Sequence, residues 1–291
     1  MNFPVHAQKN TFKVMAWNIL HGGNDIENGP ENVAKIIKEI NPDIILMIET
    51  YGSGPFIADY LNCNFHLVAS KNTSLNDPSV NLSVFSKYSF GKRIDTEYPF
   101  YLGGIEIPIN GKIIRFFSNW FHYLPWNNEP EKMGKSVEEL LEWEKTESRH
   151  EMIQKVLPYL KKFANETDSI PMIFGGDMNT LSHLDWTNKT KKFHNNLVVP
   201  WNATEILADL GLIDSYRKEN PNPITHPGTT WDKKGRKDSH RIDYIFYKGK
   251  SIKSIKSNSY NAYFNESIII NDKQIPYPSD HGIVVTTFEF R

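Results

Sequence analysis

The sequence is poor in cysteine, in long apolar runs and in excess charge of either sign. Its one cysteine, Cys63, excludes an intramolecular disulfide and a zinc site made of several thiolates. No segment approaches the roughly 18 consecutive apolar residues of a membrane-spanning helix, so we predict no membrane span. The 33 Lys and Arg residues nearly balance the 34 Asp and Glu residues. This balance disfavours a protein that tracks a nucleic-acid backbone, but allows a local basic patch.

The sequence does contain enough apolar material for a large core. Of its 291 residues, 39% are hydrophobic and 23% are charged, which is typical of a globular protein. Strand-like and helix-like segments are mixed along the chain, and no internal repeat is present. We therefore predict one domain over residues 11–291, with two packed mixed β-sheets flanked by helices. This is an α+β fold, arranged as a four-layer α/β/β/α sandwich.

Local patterns place the elements of this sandwich. The apolar spacing of residues 33–40 predicts a helix, and Asn110-Gly111 predicts a hairpin turn. A second helix is predicted over residues 140–163, with Pro158 as a kink or break. The predicted strands are residues 12–17, 43–48, 81–85, 105–108, 112–120, 171–174, 241–247 and 283–290.

Residues 1–10 carry neither a strand pattern nor a helix pattern. Val5-His6-Ala7 resembles the small-residue end of a signal peptide, but the basic and apolar regions that precede such an end are absent. Two interpretations stay open: an ordinary tail, or the remnant of an export signal. The first predicts a cytoplasmic protein, and the second predicts a secreted or periplasmic one.

Nearly every predicted buried strand ends in, or next to, a side chain that can bind a metal ion or transfer a proton. These residues are Asn18, Glu49, His122, Asp177, Asn179, Asp243, Asp280 and His281. Carboxylates and amides without cysteine suit a hard divalent cation, namely Mg²⁺, Mn²⁺ or Ca²⁺. Histidines beside them supply acid–base groups near neutral pH. Hydrolysis of a phosphate ester needs both kinds of group, so the pattern predicts that chemistry.

Most of these residues also have a structural interpretation. Asn18 can end a strand in a turn, and Asp177 with Asn179 can form an Asx turn. His281 can be a strand-edge histidine whose ring is satisfied by neighbours. Glu49 has fewer alternatives, because a charge at the end of a buried strand must be paired or bound to a metal ion.

Arg149 and Asp243 have ion-pair interpretations. Arg149 lies on the second predicted helix, and we expect it to pair with a nearby carboxylate such as Glu144 or Glu151. Asp243 can form a salt bridge with Arg241, two residues earlier in the chain. The first expectation makes Arg149 a structural residue rather than part of a site.

Six blocks of the sequence resemble the endonuclease/exonuclease/phosphatase superfamily. In chain order they are MAWNIL, PDIILMIET, SNWFHY, FGGDMNT, HRIDYIF and SDHGIVV, within residues 12–290. A single block such as Gly-Asp-Met-Asn is weak evidence, whereas six blocks in family order are specific. The resemblance implies a deoxyribonuclease I-like, metal-dependent phosphoesterase.

The resemblance also implies which residues bind the ion. Glu49 matches the principal metal ligand of the family, and Asn18 matches the amide that supports the same ion. Asp280 matches a carboxylate near the metal. The implied cofactor is therefore Mg²⁺ or Mn²⁺, with Ca²⁺ as a further option.

The implied catalytic residues follow from the same blocks. Asp177 matches the aspartate that activates or orients water, and Asn179 matches the asparagine that holds a phosphate oxygen. His281 matches the histidine beside the scissile phosphate, with Asp243 fixing its ring. His122 matches a second histidine, but here one more residue separates it from the preceding Asn than in the family pattern.

The substrate is less constrained than the reaction. Trp120, Tyr123 and Trp126 predict an aromatic wall for an apolar or flat leaving group, and His240 is a candidate contact to a substrate phosphate. We predict a phosphodiester of a small molecule or lipid headgroup as substrate. The alternatives are a nuclease acting on DNA or RNA, and a catalytically idle binding relative. No obligate protein partner is indicated.

Overall fold

Strands and helices are interleaved along the chain. The computed structural model describes residues 10–231, 240–261 and 266–291. The helices are α1 (Gly29–Ile40), α2 (Gly54–Leu61), α3 (Val137–Glu144), α4 (Ser148–Asn165), α5 (Asn202–Asp209) and α6 (Ser215–Glu219). The strands are β1 (Thr11–Asn18), β2 (Ile44–Ile48), β3 (Asn64–Leu67), β4 (Ser83–Ser86), β5 (Arg93–Ile94), β6 (Leu102–Ile109), β7 (Lys112–Trp120), β8 (Met172–Asp177), β9 (Ile213–Asp214), β10 (Asp243–Lys248), β11 (Ile252–Tyr260), β12 (Ser267–Ile270), β13 (Lys273–Pro276) and β14 (Ile283–Phe290).

Two six-stranded mixed sheets form the centre of the molecule. The first sheet has the strand order β11-β14-β1-β2-β4-β3, and the second has the order β5-β6-β7-β8-β10-β9. Each contains one parallel pair, β1 with β2 and β7 with β8, and its other pairs are antiparallel. The parallel pairs bring the carboxyl ends of neighbouring strands to the same edge of each sheet.

Side-chain alternation along the strands creates three apolar layers. In β1, Val14 and Ala16 pack between the two sheets, whereas Met15 and Trp17 pack under α1. A third apolar layer lies between the second sheet and helices α4 and α5. The order of layers is therefore helix, sheet, sheet, helix. The predicted α+β sandwich is confirmed.

The predicted second helix is wrong in one respect. Residues 140–163 belong to two helices, α3 and α4, and the break falls at residues 145–147 rather than at Pro158. Pro158 lies exposed inside α4. The interruption has local causes: Thr146 Oγ1 donates to Trp143 O at 2.8 Å, and Glu147 is extended. The first residues of α4 then contact the preceding loop, where Arg149 N donates to Leu124 O at 2.9 Å.

The sequence located the long buried strands better than the short polar ones. Strands β7 and β14 have the predicted bounds, and the hairpin turn at Asn110-Gly111 has positive φ at both residues. Strands β3, β5, β9, β11, β12 and β13 were not predicted. Several are two to four residues long, and β11 carries mostly polar residues, so periodicity gave no signal for them.

The predicted tail or signal remnant, residues 1–10, lies outside the described residues except for Asn10. The Asn10 side chain donates to Phe290 O at 3.2 Å, which ties the start of β1 to the end of β14. No helix in the described part of the chain is both long enough and apolar enough to cross a bilayer.

The buried histidine His66 makes stability depend on pH. Burial, together with the nearby charge of Arg93, lowers its pKa from 6.5 to about 4. Between pH 6.5 and about pH 4, His66 is protonated in the unfolded chain but neutral in the folded chain. The free energy of unfolding therefore falls as pH falls through this range. For His66 the expected loss between about pH 7 and about pH 4 is about 3 kcal/mol.

The variant His66→Gln tests this expectation, because glutamine does not titrate. Urea unfolding at several pH values should show that wild type loses about 3 kcal/mol more than the variant on acidification. Parallel pH dependences of the two proteins would contradict the assignment.

Candidate active site

The predicted site residues meet at one edge of the sandwich. Asn18 ends β1, and Glu49 directly follows β2, which runs parallel to β1. Asp177 ends β8 and lies opposite Asp243, the first residue of β10. His281 precedes β14. Each sheet thus supplies part of the cluster, and the packing of the sheets brings the parts together.

Asn18 links the two sheets. Its Nδ2 donates to Glu49 Oε1 at 3.0 Å and to Asp177 Oδ2 at 3.1 Å. Its Oδ1 accepts from Leu20 N at 3.0 Å. The amide therefore orients two carboxylates, and its oxygen is already engaged. An amide oxygen has a second lone pair, so the role of Asn18 as a metal ligand stays a prediction.

Glu49 is held in an unusual backbone conformation. Its φ is +57°, and Oε2 accepts from His21 N at 2.9 Å. Leu20, His21, Tyr51 and Asn179, all close to the cluster, also have positive φ. Each such residue typically costs about 1–3 kcal/mol and persists where surrounding contacts fix it. The site is thus built on backbone that the rest of the fold holds in place.

Three buried groups form the centre of the site. His281 Nδ1 lies 3.0 Å from Asp243 Oδ2, and His281 Nε2 lies 3.8 Å from Asp177 Oδ2. Burial lowers the pKa of His281, but Asp243 and Asp177 raise it well above its usual value. Burial and, to a smaller extent, the nearby Asp243 raise the pKa of Asp177, the His281 charge lowers it, and the net pKa is about 8. Nδ1 of the imidazole is thus held by Asp243, and Nε2 faces Asp177.

The donor set fits a hard divalent cation. Asp177, Asp243 and His281 place ligand-type atoms within 4.8 Å of one another, but His281 Nδ1 is engaged by Asp243, so carboxylate oxygens are the donors left for the cation. The buried oxygens Asp243 Oδ1 and Asp280 Oδ1 have no hydrogen-bond partner among the described residues. A buried carboxylate oxygen without a partner is costly, and a cation would remove that cost. Glu49 lines the same cleft and adds a further carboxylate.

Asn179 is bonded within the site. Its backbone N and its Nδ2 both donate to the Asp177 carboxylate, each at 2.9 Å. The second hydrogen of Nδ2 is directed at Phe121 O, also at 2.9 Å. Both amide hydrogens are therefore used within the site, and Asn179 orients the Asp177 carboxylate. The contact of Asn179 with a phosphate oxygen stays a prediction.

His122 does not line the cleft. Side chains alternate along β7, so Ser118 points at the other sheet, and Trp120, on the same face, reaches the cleft. His122 follows the strand, where its ring stacks on Tyr123 at 4.2 Å and its Nδ1 lies 2.7 Å from Ser148 Oγ. Burial lowers its pKa. His122 thus lies beyond Trp120 and outside the cleft lining, and its catalytic role stays a prediction.

The cleft above the cluster has a volume of about 380 Å³ and an aromatic wall. Trp120, Tyr123 and Trp126 line it, as predicted, and Trp231 adds a fourth ring. Trp126 and Trp231 meet edge to face with ring centroids 5.3 Å apart. No Lys or Arg lines the cleft among the residues with described positions. The wall is therefore apolar and the floor is acidic.

His240 lies behind this wall. Its Nε2 is 2.8 Å from Asn128 O, its ring meets Trp126 edge to face, and it lines a neighbouring cavity of about 290 Å³. It supports Trp126 and does not reach the cleft, contrary to the predicted contact with substrate phosphate. Arg241 pairs with Asp185 and Asp214 instead of Asp243, which leaves Asp243 to His281.

Sequence reasoning missed Trp231, Leu20 and Arg149. Trp231 lies in a segment without periodicity, and its position depends on pairing with His240 and His281 across the fold. Leu20 lines the cleft from a backbone conformation that sequence does not reveal. Arg149 is buried and bonds the backbone of Asn179. No local pattern marks any of them, although an aromatic or cationic residue between two matched blocks is a weak signal.

Comparisons with known proteins agree with this architecture. An uncharacterized protein of Caenorhabditis elegans is 27% identical, over 98% of this chain and 93% of that protein. The structure of D. rerio TDP2 complexed with single strand DNA product has a TM-score of 0.61 at 14% identity, covering 97% of this chain and 100% of that one. An AP endonuclease from Archaeoglobus fulgidus has a TM-score of 0.59 at 18% identity, covering 94% and 98%.

These structural likenesses show the fold, and the family follows from the sequence. The model of the Endonuclease/Exonuclease/phosphatase family matches residues 15–281, which is most of the chain. The matched range contains Asn18, Glu49, Asp177, Asp243 and His281. This chain belongs to the Endonuclease/Exonuclease/phosphatase family of divalent-metal-dependent hydrolases of phosphoester bonds.

Proposed function

We propose that this protein hydrolyses phosphodiesters of a small molecule or a lipid headgroup by in-line attack of water. The observation that carries the proposal is the cleft itself, with four aromatic rings around an acidic floor and no Lys or Arg among its described lining residues. Aromatic rings accommodate an apolar or flat leaving group. A surface for a long polyanion needs repeated cationic contacts instead.

The charge of the site supports a diester rather than a monoester. Glu49, Asp177, Asp243 and Asp280 surround one histidine, His281. A monoester carries up to two negative charges near neutral pH and a diester carries one, so these carboxylates repel the monoester more strongly. A bound cation offsets part of that repulsion for both substrates, and the difference between them favours the diester.

The residues divide the chemistry as follows. Glu49 and Asp280 would hold Mg²⁺ or Mn²⁺, which neutralises phosphoryl oxygen charge and polarises phosphorus when bound. Asp177, oriented by Asn18 and Asn179, positions the attacking water and takes its proton. His281, held through Nδ1 by Asp243, donates from Nε2 to a non-bridging oxygen as charge accumulates there.

A substrate panel tests the proposal. We expect metal-dependent turnover of bis(p-nitrophenyl) phosphate, and of a glycerophosphodiester or sphingomyelin, to exceed that of p-nitrophenyl phosphate and of DNA. Chelation with EDTA should remove turnover, and Mg²⁺ or Mn²⁺ should restore it. Turnover only of DNA or RNA, falling steeply with salt, would favour the nuclease alternative. Absence of turnover on every substrate would indicate an idle binding relative.

The nuclease alternative has support of its own. TDP2 in one structurally similar complex is bound to single strand DNA product. Basic residues Lys233, Lys234, Arg236 and Lys237 follow Trp231 in the sequence, outside the described residues. Basic side chains of this kind bind phosphate backbones. The salt dependence of turnover separates the two candidates, because a small diester releases few counterions.

Replacing the aromatic wall should affect binding more than chemistry. We expect Trp126→Ala and Trp231→Ala each to raise KM for an aryl diester about tenfold, corresponding to about 1.4 kcal/mol of lost contact, with kcat changed little. Steady-state kinetics with aryl and methyl leaving groups measures this. Tyr60→Ala removes a partly exposed ring at the far end of the first sheet and serves as the matched control. An unchanged KM in both tryptophan variants would argue against the aromatic wall as a binding surface.

A further inference from the structure

Two buried charged residues, Arg149 and Glu144, bond the loop that follows β8 on the side away from the cleft. Arg149, near the start of α4, is 3% exposed, and Glu144, the last residue of α3, is 2% exposed. The sequence predicts a local ion pair between Arg149 and a carboxylate such as Glu144 or Glu151. Neither lines the cleft. Their contacts are with the residues that follow Asp177.

Arg149 and Glu144 fix consecutive residues of this loop. Arg149 Nη1 donates to the backbone carbonyl of Asn179, whose φ is +46°. Glu144 Oε1 accepts from Thr180 Oγ1 at 2.8 Å, and its Oε2 accepts from Asn202 N at 2.7 Å at the start of α5. Helices α4 and α3 thus each bond one of two consecutive loop residues, and Glu144 also joins α3 to the start of α5.

The position of Asn179 determines the orientation of the Asp177 carboxylate. Both donors of Asn179, the backbone N and Nδ2, bind the Asp177 carboxylate at 2.9 Å. The conformation of Asn179 is left-handed, and such a residue persists when its surroundings fix it. A change at Arg149 therefore alters the direction of the Asp177 carboxylate through one intervening residue.

The energetics point away from a purely stabilising role. A buried cation costs several kcal/mol unless it is paired and fully hydrogen-bonded. Arg149 Nε has no hydrogen-bond partner among the described residues, and no ion pair within 4.0 Å joins Arg149 to Glu144 there. Burial lowers the pKa of Arg149, and Glu144 at longer range raises it. An apolar side chain of the same size would fill this space at lower cost.

We propose that Arg149 is a positioning residue, which acts through the Asn179 carbonyl to aim the Asp177 carboxylate at the attacking water. Glu144 contributes to the same positioning, because it accepts a hydrogen bond from Thr180, the residue after Asn179. The inference rests on the proposed function, because it assigns Asp177 to water activation. Arg149 lies outside the cleft, on helix α4 of the outer layer, and would nevertheless influence kcat.

The test compares Arg149→Met, Arg149→Lys and Thr180→Val with wild type on bis(p-nitrophenyl) phosphate. We expect Arg149→Met to lower kcat about 10- to 100-fold, as loss of an orienting group typically does, with KM nearly unchanged. Arg149→Lys should retain part of the rate that Arg149→Met loses. In a further variant, Arg149→Ala, millimolar methylguanidinium should restore part of the lost rate. Thr180→Val removes the contact to Glu144 at constant volume and should lower kcat in the same direction.

A matched control and a second readout separate the possible failures. Arg115→Met replaces another buried arginine, paired with Glu106 and Glu166 at the opposite end of β7, and should leave kcat unchanged. The carboxyl carbon-13 resonance of Asp177, assigned with Asp177→Asn, should shift in Arg149→Met but not in Arg115→Met. An unshifted resonance, or an unchanged kcat in a folded Arg149→Met, overturns the inference. Absence of turnover in wild type counts against the proposed function, and the resonance still decides the inference.

Discussion

Glu49→Gln is expected to abolish metal-dependent turnover, lowering kcat/KM on the order of 10³-fold or more. Glutamine keeps the shape of the side chain but removes the charge that a hard cation requires. Glu49 accepts from Asn18 Nδ2 through one oxygen and from His21 N through the other, so the amide NH₂ of glutamine would face one of these two donors. Calorimetric titration with Mg²⁺ or Mn²⁺ should show weaker binding in parallel with the loss of turnover.

Glu39→Gln provides the matched control for this variant. Glu39 lies on α1 and pairs with Lys273 on the hairpin strand β13, outside the cleft. The same chemical change there should leave both turnover and metal affinity unaltered. Full activity in Glu49→Gln would refute the placement of the cation, whereas equal losses in both variants would point to a general effect on folding.

Asp177→Asn is expected to have an effect of the same order on kcat. The Asp177 carboxylate is 1% exposed and accepts from Asn18 Nδ2, Asn179 N and Asn179 Nδ2. An asparagine there cannot take a proton from water, and one of its two polar atoms would oppose an existing donor. Single-turnover kinetics should show a slow chemical step, with substrate still bound.

Two comparisons separate a catalytic effect of Asp177→Asn from unfolding. Near-ultraviolet circular dichroism should match wild type, since the substitution preserves volume in a packed interior. Asp168→Asn, which changes an exposed carboxylate paired with Lys250, should retain wild-type rates. A variant Asp177→Asn that turns over substrate at the wild-type rate would exclude Asp177 as the group that activates water.

The sequence was most informative where a buried strand ends in a polar residue. A run such as residues 44–48 is apolar at every position, so the first charge after it, Glu49, is conspicuous. The same reasoning located Asn18, Asp177 and His281, which the structure brings into one cluster. The end of a strand is visible in the local sequence. Because the predicted fold packs two sheets together, residues at such strand ends were expected to lie close to one another.

Side-chain direction and long-range pairing were not predictable in the same way. Strand β7 ends at Trp120, whose side chain lines the cleft, and His122 lies beyond the strand, where its ring stacks on Tyr123 instead. The bonding of Asn18 and Asn179 depends on neighbours from distant segments. Arg149 was expected to pair with a nearby carboxylate, because its actual partner, the Asn179 carbonyl, is main chain and has no signature in the sequence.

Asn18 bridges Glu49 and Asp177, so the active cluster forms only when the two sheets pack together during folding. One carboxylate belongs to the first sheet and the other to the second, so a partly assembled chain with a single sheet carries only half of the cluster. Catalytic competence therefore has to await the docking of both halves. During refolding, regain of turnover should trail the regain of secondary structure, which makes the reaction itself a reporter of the last assembly step.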